Sequence, residues 1–245
     1  MKCPGQDRGY WSGDRVFDLP CPKCGAAVEF FRDEAKRRCT RCGYAFPNAR
    51  IALDCASWCE QAEACLGISR SGGNVRADAE TALSGRLIHA LEEELGADSD
   101  LFARSLLVFQ HARELVPAVG VAPTVVLPAA LLLECVVASD PTSRLGDVAA
   151  SEDTKVRGMT ERVLSRGGLE DRAIQEVYGL LHAYCQGRRD RPELAVLNDA
   201  SRLAVLVAQR AAAASTDLPG NPSANAEGGF LTEAGTARAR GLFES

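Results

Sequence analysis

The chain has 245 residues, 46% of them hydrophobic and 25% charged, which excludes a wholly disordered or fibrous polypeptide and leaves room for one sizeable core plus a smaller module. Acidic side chains outnumber basic ones 33 to 28, and a formal charge of -5 offers no basic footprint, so nucleic acid is not an expected partner. No run of about 18 uncharged apolar residues occurs, and the opening MKCPGQDRGYWSGD lacks the apolar stretch of a signal peptide, so a cytoplasmic protein without membrane association is expected.

Eight of the ten cysteines lie in the first 65 residues, and in a cytosolic chain such density favours metal ligation over disulfides. The expected organisation is a Cys-rich module over residues 1–70, an all-α domain over 76–213 and a flexible tail over 214–245, which makes the fold class mostly α with a small N-terminal β module. Within the module, Cys21-Pro-Lys-Cys24-Gly and Cys39-Thr-Arg-Cys42-Gly are two C-x2-C-G pairs separated by 14 residues. That spacing suits a tetrahedral site of four thiolates, with Gly25 and Gly43 taking the positive φ of each turn. Ala27–Phe31 reads as a strand between the pairs, and Tyr44-Ala-Phe46 as another after them, the pattern of a zinc ribbon. Four cysteines leave no coordination position open, so the expected Zn²⁺ is structural, and its binding would supply most of the folding energy of so small a module.

A second set follows. Cys55-Ala-Ser-Trp-Cys59 and Cys65 place three thiols on adjacent turns if Asp54 caps a helix, and Cys3 can complete a set of four. A second Zn²⁺, an iron–sulfur cluster and plain buried thiols all remain open for Cys3, Cys55, Cys59 and Cys65. Trp11 and Trp58 are read as packing residues.

Beyond the Ser69–Asn74 boundary, apolar periodicity predicts helices over Asp78–Leu95, Asp100–Val116, Thr124–Ala138, Glu152–Arg166, Leu169–Cys185 and Pro192–Ala214. Gly96, Pro117 with Gly120, Asp140-Pro141, Gly167-Gly168 and the charged loop Gly187–Arg191 supply the breaks. His89 is expected to pack among Leu87, Ile88 and Leu91, and His111 to be exposed beside Glu114. The segment after Ala214, STDLPGNPSANAEGG, predicts mobility, with weak docking through Phe230, Leu231 and Phe243. There is no Walker phosphate loop, no dinucleotide fingerprint in context and no G-x-S-x-G elbow.

The order of elements resembles bacterial HD-domain phosphohydrolase-like proteins with a cysteine-rich N-terminal extension. The resemblance rests on Cys3-Pro-Gly-Gln-Asp7, the two knuckles, Val28-Glu-Phe-Phe31, Arg37-Arg38-Cys39 and Cys55-Ala-Ser-Trp-Cys59 through Gly67. In the helical part it rests on Val125–Leu132 and Leu197-Asn-Asp-Ala-Ser-Arg-Leu203. It implies a divalent-metal site that activates water against a phosphoester. Carried over, its ligand positions fall at Arg104, Leu133-Glu134 and Asp199, so three of four ligands are changed and no divalent metal is expected in the helical domain. A residual catalytic site of Glu134, His182 and Asp199, with Cys185 nearby, is the alternative that keeps phosphohydrolase activity on a nucleotide or small phosphoester. The first expectation is an inactive HD-like domain serving protein interaction or sensing of a small phosphorylated ligand. A redox or iron–sulfur role for the second cysteine set is the third. Arg188-Arg189-Asp190-Arg191 is a small basic loop, solvated unless it and Arg104 meet a phosphate.

Overall fold

The structure is a computed structural model and describes residues 16–31, 34, 36–50, 75–97, 99–138, 154–213 and 229–243. Cys3, Cys55, Cys59 and Cys65, together with Trp11, Trp58 and the Ser69–Asn74 boundary, lie outside the described residues.

Two small antiparallel hairpins open the described residues. Strand β1 (Val16–Pro20) pairs with β2 (Ala27–Phe31), and β3 (Lys36–Arg38) pairs with β4 (Ala45–Pro47). Alternation decides the faces: Phe17 opposes Phe30 and Leu19 opposes Val28 on the inner side, while Asp18 opposes Glu29 outside. Phe30 then meets Phe46 of the second hairpin edge-on, 5.2 Å between centroids, so four or five apolar side chains make the module's core. Asn48, buried, stitches the intervening loop by donating to the carbonyls of Phe31 and Glu34 and accepting from the Arg50 amide. β1 and β3 were not among the predicted strands; each is short and is defined by its partner more than by its own residues.

Seven helices follow among the described residues: α1 (Val75–Leu95), α2 (Asp100–Val119), α3 (Pro123–Ala138), α4 (Thr154–Arg166), α5 (Asp171–Cys185), α6 (Pro192–Ala213) and α7 (Glu233–Phe243). The first six fall where periodicity places them. Pro117 does not break α2: it is exposed in the last turn, and the helix runs to Val119 before Gly120, at φ 77°, donates its amide to the Val116 carbonyl. α3 is apolar all round, with every residue from Val126 to Leu133 buried, which is the signature of a central helix. It packs on α2, α5 and α6, and α2 in turn is covered by α3, α6 and α7.

That coverage overturns the two histidine expectations. His111 is fully buried on α2, because α2 is enclosed on more than one side, whereas His89 is largely exposed and lies 3.5 Å from Glu93 one turn on. The segment expected as a tail also contains more order than its composition suggests. α7 occupies residues 233–243 and buries Ala239 and Leu242, with the chain before it held at Phe230 to Thr232.

The hairpin module is packed onto the helices at three places. The Arg50 guanidinium lies 4.3 Å from the Phe17 ring and 5.2 Å from the Phe102 ring of α2, and pairs with Glu92 of α1. The first knuckle meets the end of α6, where a Cβ on Gly25 would come within 2.7 Å of Ala211 Cβ and 3.1 Å of the Val207 carbonyl oxygen. The second knuckle reaches α2 and α7 through Tyr44, whose hydroxyl donates to Glu114 at 3.0 Å and accepts from Arg238 at 3.1 Å.

Candidate metal centre

Each C-x2-C-G pair folds as a tight turn closed by its own backbone. The Gly25 amide donates to the Cys21 carbonyl at 2.8 Å and the Cys21 amide to the Ala26 carbonyl at 2.9 Å. The second turn repeats this with Gly43 to Cys39 at 2.9 Å and Cys39 to Tyr44 at 2.8 Å. Gly25 at φ 70° and Gly43 at φ 72° occupy the left-handed region that the turns require, so the two glycines are part of the site's construction.

The turns face each other and bring the sulfurs of Cys21, Cys24, Cys39 and Cys42 all within 4.8 Å of one another. Cys21 Sγ lies 3.6 Å from Cys42 Sγ, and Cys24 Sγ 3.6 Å from Cys39 Sγ. Four thiolates at about 2.3 Å from a tetrahedral ion stand about 3.8 Å apart, so the set has the size of a zinc site. Three of the four are buried. Burial pushes the Cys21 thiol well up, opposed by the backbone amides of Lys23 and Cys24 that point at its sulfur. Cys24 is raised by burial too, against the amide of Ala26. At Cys39 burial also acts upward, but the amides of Cys42 and Arg41 and the neighbouring thiols outweigh it, and the thiol sits below its ordinary value. Amides aimed at sulfur are what a buried thiolate needs, and a divalent cation supplies the remaining charge compensation. The residues therefore fit a tetrahedral metal ion such as zinc. When bound, the ion cross-links two turns and offers no open position to a substrate.

The residues assigned to the residual catalytic site are not gathered in this way. Among the described residues the four cysteines are the one cluster of three or more His, Cys, Asp or Glu ligands, and Glu134, His182 and Asp199 do not form another. Each of the three has a different engagement. Glu134 on α3 pairs with Arg104 on α2 at 3.4 Å, and Leu133 beside it is fully buried core. His182, in the last turn of α5, lies 2.8 Å from the Gln186 side chain. Asp199 on α6 is fully buried, and its carboxylate accepts from the Leu231 amide at 2.8 Å, the Thr232 amide at 2.9 Å, the Thr232 hydroxyl at 2.7 Å and Asn198 at 3.1 Å. Those four donors use up the acceptor capacity of the carboxylate, so Asp199 anchors the entry to α7 and has no lone pair directed to a metal.

Cys185 is half-buried, with burial raising its thiol, and Cys135 is buried 3.8 Å from Ser105, likewise raised by burial. The Arg188–Arg191 loop is internally paired, Arg188 with Asp190 and Arg191 with Glu193, while Arg189 lies over the Tyr184 ring. Sequence reasoning missed Tyr44, Asn48, Arg50, Glu114 and Arg238, which join the metal module to the helices. Only Arg50, a cation placed just after a strand, carries even a faint local signal.

No family model, curated protein or solved structure matches the chain.

Proposed function

We infer that the chain is a metal-stabilised, non-hydrolytic binding protein, in which a Zn²⁺ held by Cys21, Cys24, Cys39 and Cys42 organises a ribbon that serves protein interaction. The observation that carries this is the closed set of four sulfurs inside 4.8 Å, with backbone amides aimed at them and no fifth position for a substrate. The helical domain is read as an HD-like domain that no longer hydrolyses phosphoesters. Supporting that reading, a fixed guanidinium, Arg104, faces Glu134 where the resemblance would put a cation, and Asp199 is spent on the chain entering α7. A net charge of -5 and the absence of an unpaired basic cluster in the Arg188–Arg191 loop favour a protein over a phosphorylated small molecule as partner.

The test is elemental analysis of the full chain purified without oxygen, beside Cys39→Ser, together with a phosphoester panel assayed with and without Mn²⁺. The expected result is the loss of one zinc per chain in Cys39→Ser and no turnover in either protein. Equal metal content in the two proteins overturns the ribbon assignment. Mn²⁺-dependent turnover that disappears in Glu134→Ala overturns the non-hydrolytic reading in favour of a phosphohydrolase. A brown protein whose visible absorbance is lost in Cys59→Ser favours an iron–sulfur role instead.

A further inference from the structure

We propose that metal occupancy of the four-cysteine centre governs whether the C-terminal helix α7 stays docked, with Tyr44 as the link between them. This rests on the metal reading above and extends it from stabilisation to control.

Helix α7 is held at its start and at its middle by different means. At its start, Asp199 accepts both the Leu231 and Thr232 amides, and Gly235 passes so close to that carboxylate that no side chain fits there. The Thr232 hydroxyl donates to Asp199 and accepts from the Gly235 amide at 2.9 Å, capping the helix. This anchor belongs wholly to the helical domain and does not depend on the metal. Further along, Arg238 turns to the ribbon. Its guanidinium donates to the Tyr44 hydroxyl at 3.1 Å, pairs with Glu114 at 2.5 Å and lies 5.3 Å from the Tyr44 ring centroid. Tyr44 donates in turn to the other Glu114 oxygen at 3.0 Å, so the three side chains close a triangle between β-module, α2 and α7.

Tyr44 is placed by the metal turn. It stands two residues after Cys42, and its carbonyl accepts the Cys39 amide that closes the second knuckle. A ribbon core built on Leu19, Val28, Phe30 and Phe46 is too small to hold that turn once the cross-link between the knuckles is gone. With Tyr44 displaced, the Glu114–Arg238 pair loses its aromatic cover and is left as a hydrated ion pair of much reduced strength.

The experiment is hydrogen–deuterium exchange on the full chain, zinc-loaded and chelator-stripped, comparing peptides over 229–243 with peptides over the central helix α3. Exchange in α7 should be about tenfold or more faster in the stripped chain while α3 is unchanged. Tyr44→Phe, which keeps all four cysteines, should accelerate α7 in the zinc-loaded state without loss of zinc. If stripping speeds α3 as well, the zinc-loaded Tyr44→Phe protein decides alone. A chain that binds zinc stoichiometrically but exchanges α7 identically in wild type and Tyr44→Phe overturns the inference and leaves the metal reading standing. A chain that takes up no zinc overturns both.

Discussion

The Thr232 hydroxyl donates to Asp199 Oδ2 at 2.7 Å across 33 residues of sequence, and with the Leu231 and Thr232 amides it makes Asp199 the anchor for the entry to α7. Asp199→Ala removes the acceptor for the Leu231 and Thr232 amides and leaves them facing a buried gap. The expected loss is about 3 kcal/mol of unfolding free energy, read from urea denaturation. Asp199→Asn, which keeps one acceptor oxygen, should lose less. A variant as stable as wild type would show that the carboxylate is not what holds α7.

Chelation should lower the thermal midpoint of the full chain, and added Zn²⁺ should restore it with a dependence on free zinc concentration. The physical basis is linkage: an ion bound only by the folded knuckles stabilises by RT ln(1 + [L]/Kd), about 2.7 kcal/mol at a hundredfold excess over Kd. Calorimetry across a zinc titration checks it, and a midpoint indifferent to zinc contradicts a structural ion.

Gly25 and Gly43 have the same backbone role in the two knuckles but different surroundings, which separates the turn from the docking. At Gly43 a Cβ meets nothing within 4 Å, so Gly43→Ala should cost only the left-handed φ, about 1 kcal/mol. At Gly25 the same strain is joined by a collision with Ala211 and the Val207 carbonyl of α6, so Gly25→Ala should cost about 2–3 kcal/mol. Equal losses, measured by denaturant unfolding of zinc-loaded protein, would mean that the knuckle does not rest on α6.

His111 makes stability depend on pH. Burial first, and the charge of Arg238 second, push its imidazole down to about 3 from an ordinary value of 6.5. Below pH 6.5 the unfolded chain takes up a proton that the folded chain refuses, so stability falls as pH falls, until the folded pKa is reached. Between pH 6.5 and 5 this amounts to about 2 kcal/mol. His111→Gln should flatten that part of the profile relative to wild type. Parallel profiles for the two proteins over this interval would show that His111 titrates normally.

The sequence by itself determined the local chemistry. Two C-x2-C-G pairs specify two turns whose glycines, backbone amides and sulfurs are set within five residues each, so a four-cysteine group able to hold a metal was legible before any tertiary contact was known. The six long helices were legible for a similar reason, since apolar periodicity and glycine stops act over one or two turns, and their ends came within about three residues of the expected positions.

What only the tertiary structure decided is which faces are covered and which polar groups meet. His111 reads as exposed because its own helix carries Glu114 beside it; it is buried because α3, α6 and α7 leave α2 little open surface. Asp199 is a ligand position only by the resemblance; its carboxylate holds the entry to α7 because Leu231 and Thr232 arrive there from more than thirty residues away. α7, eleven residues with two glycines, is too short and too weakly apolar to announce itself, and it is held by Asp199 at its start and by Arg238 midway along it. Periodicity encodes the side a helix hides, but the partner that hides it, and the donors that meet a buried carboxylate, are set by elements distant in sequence.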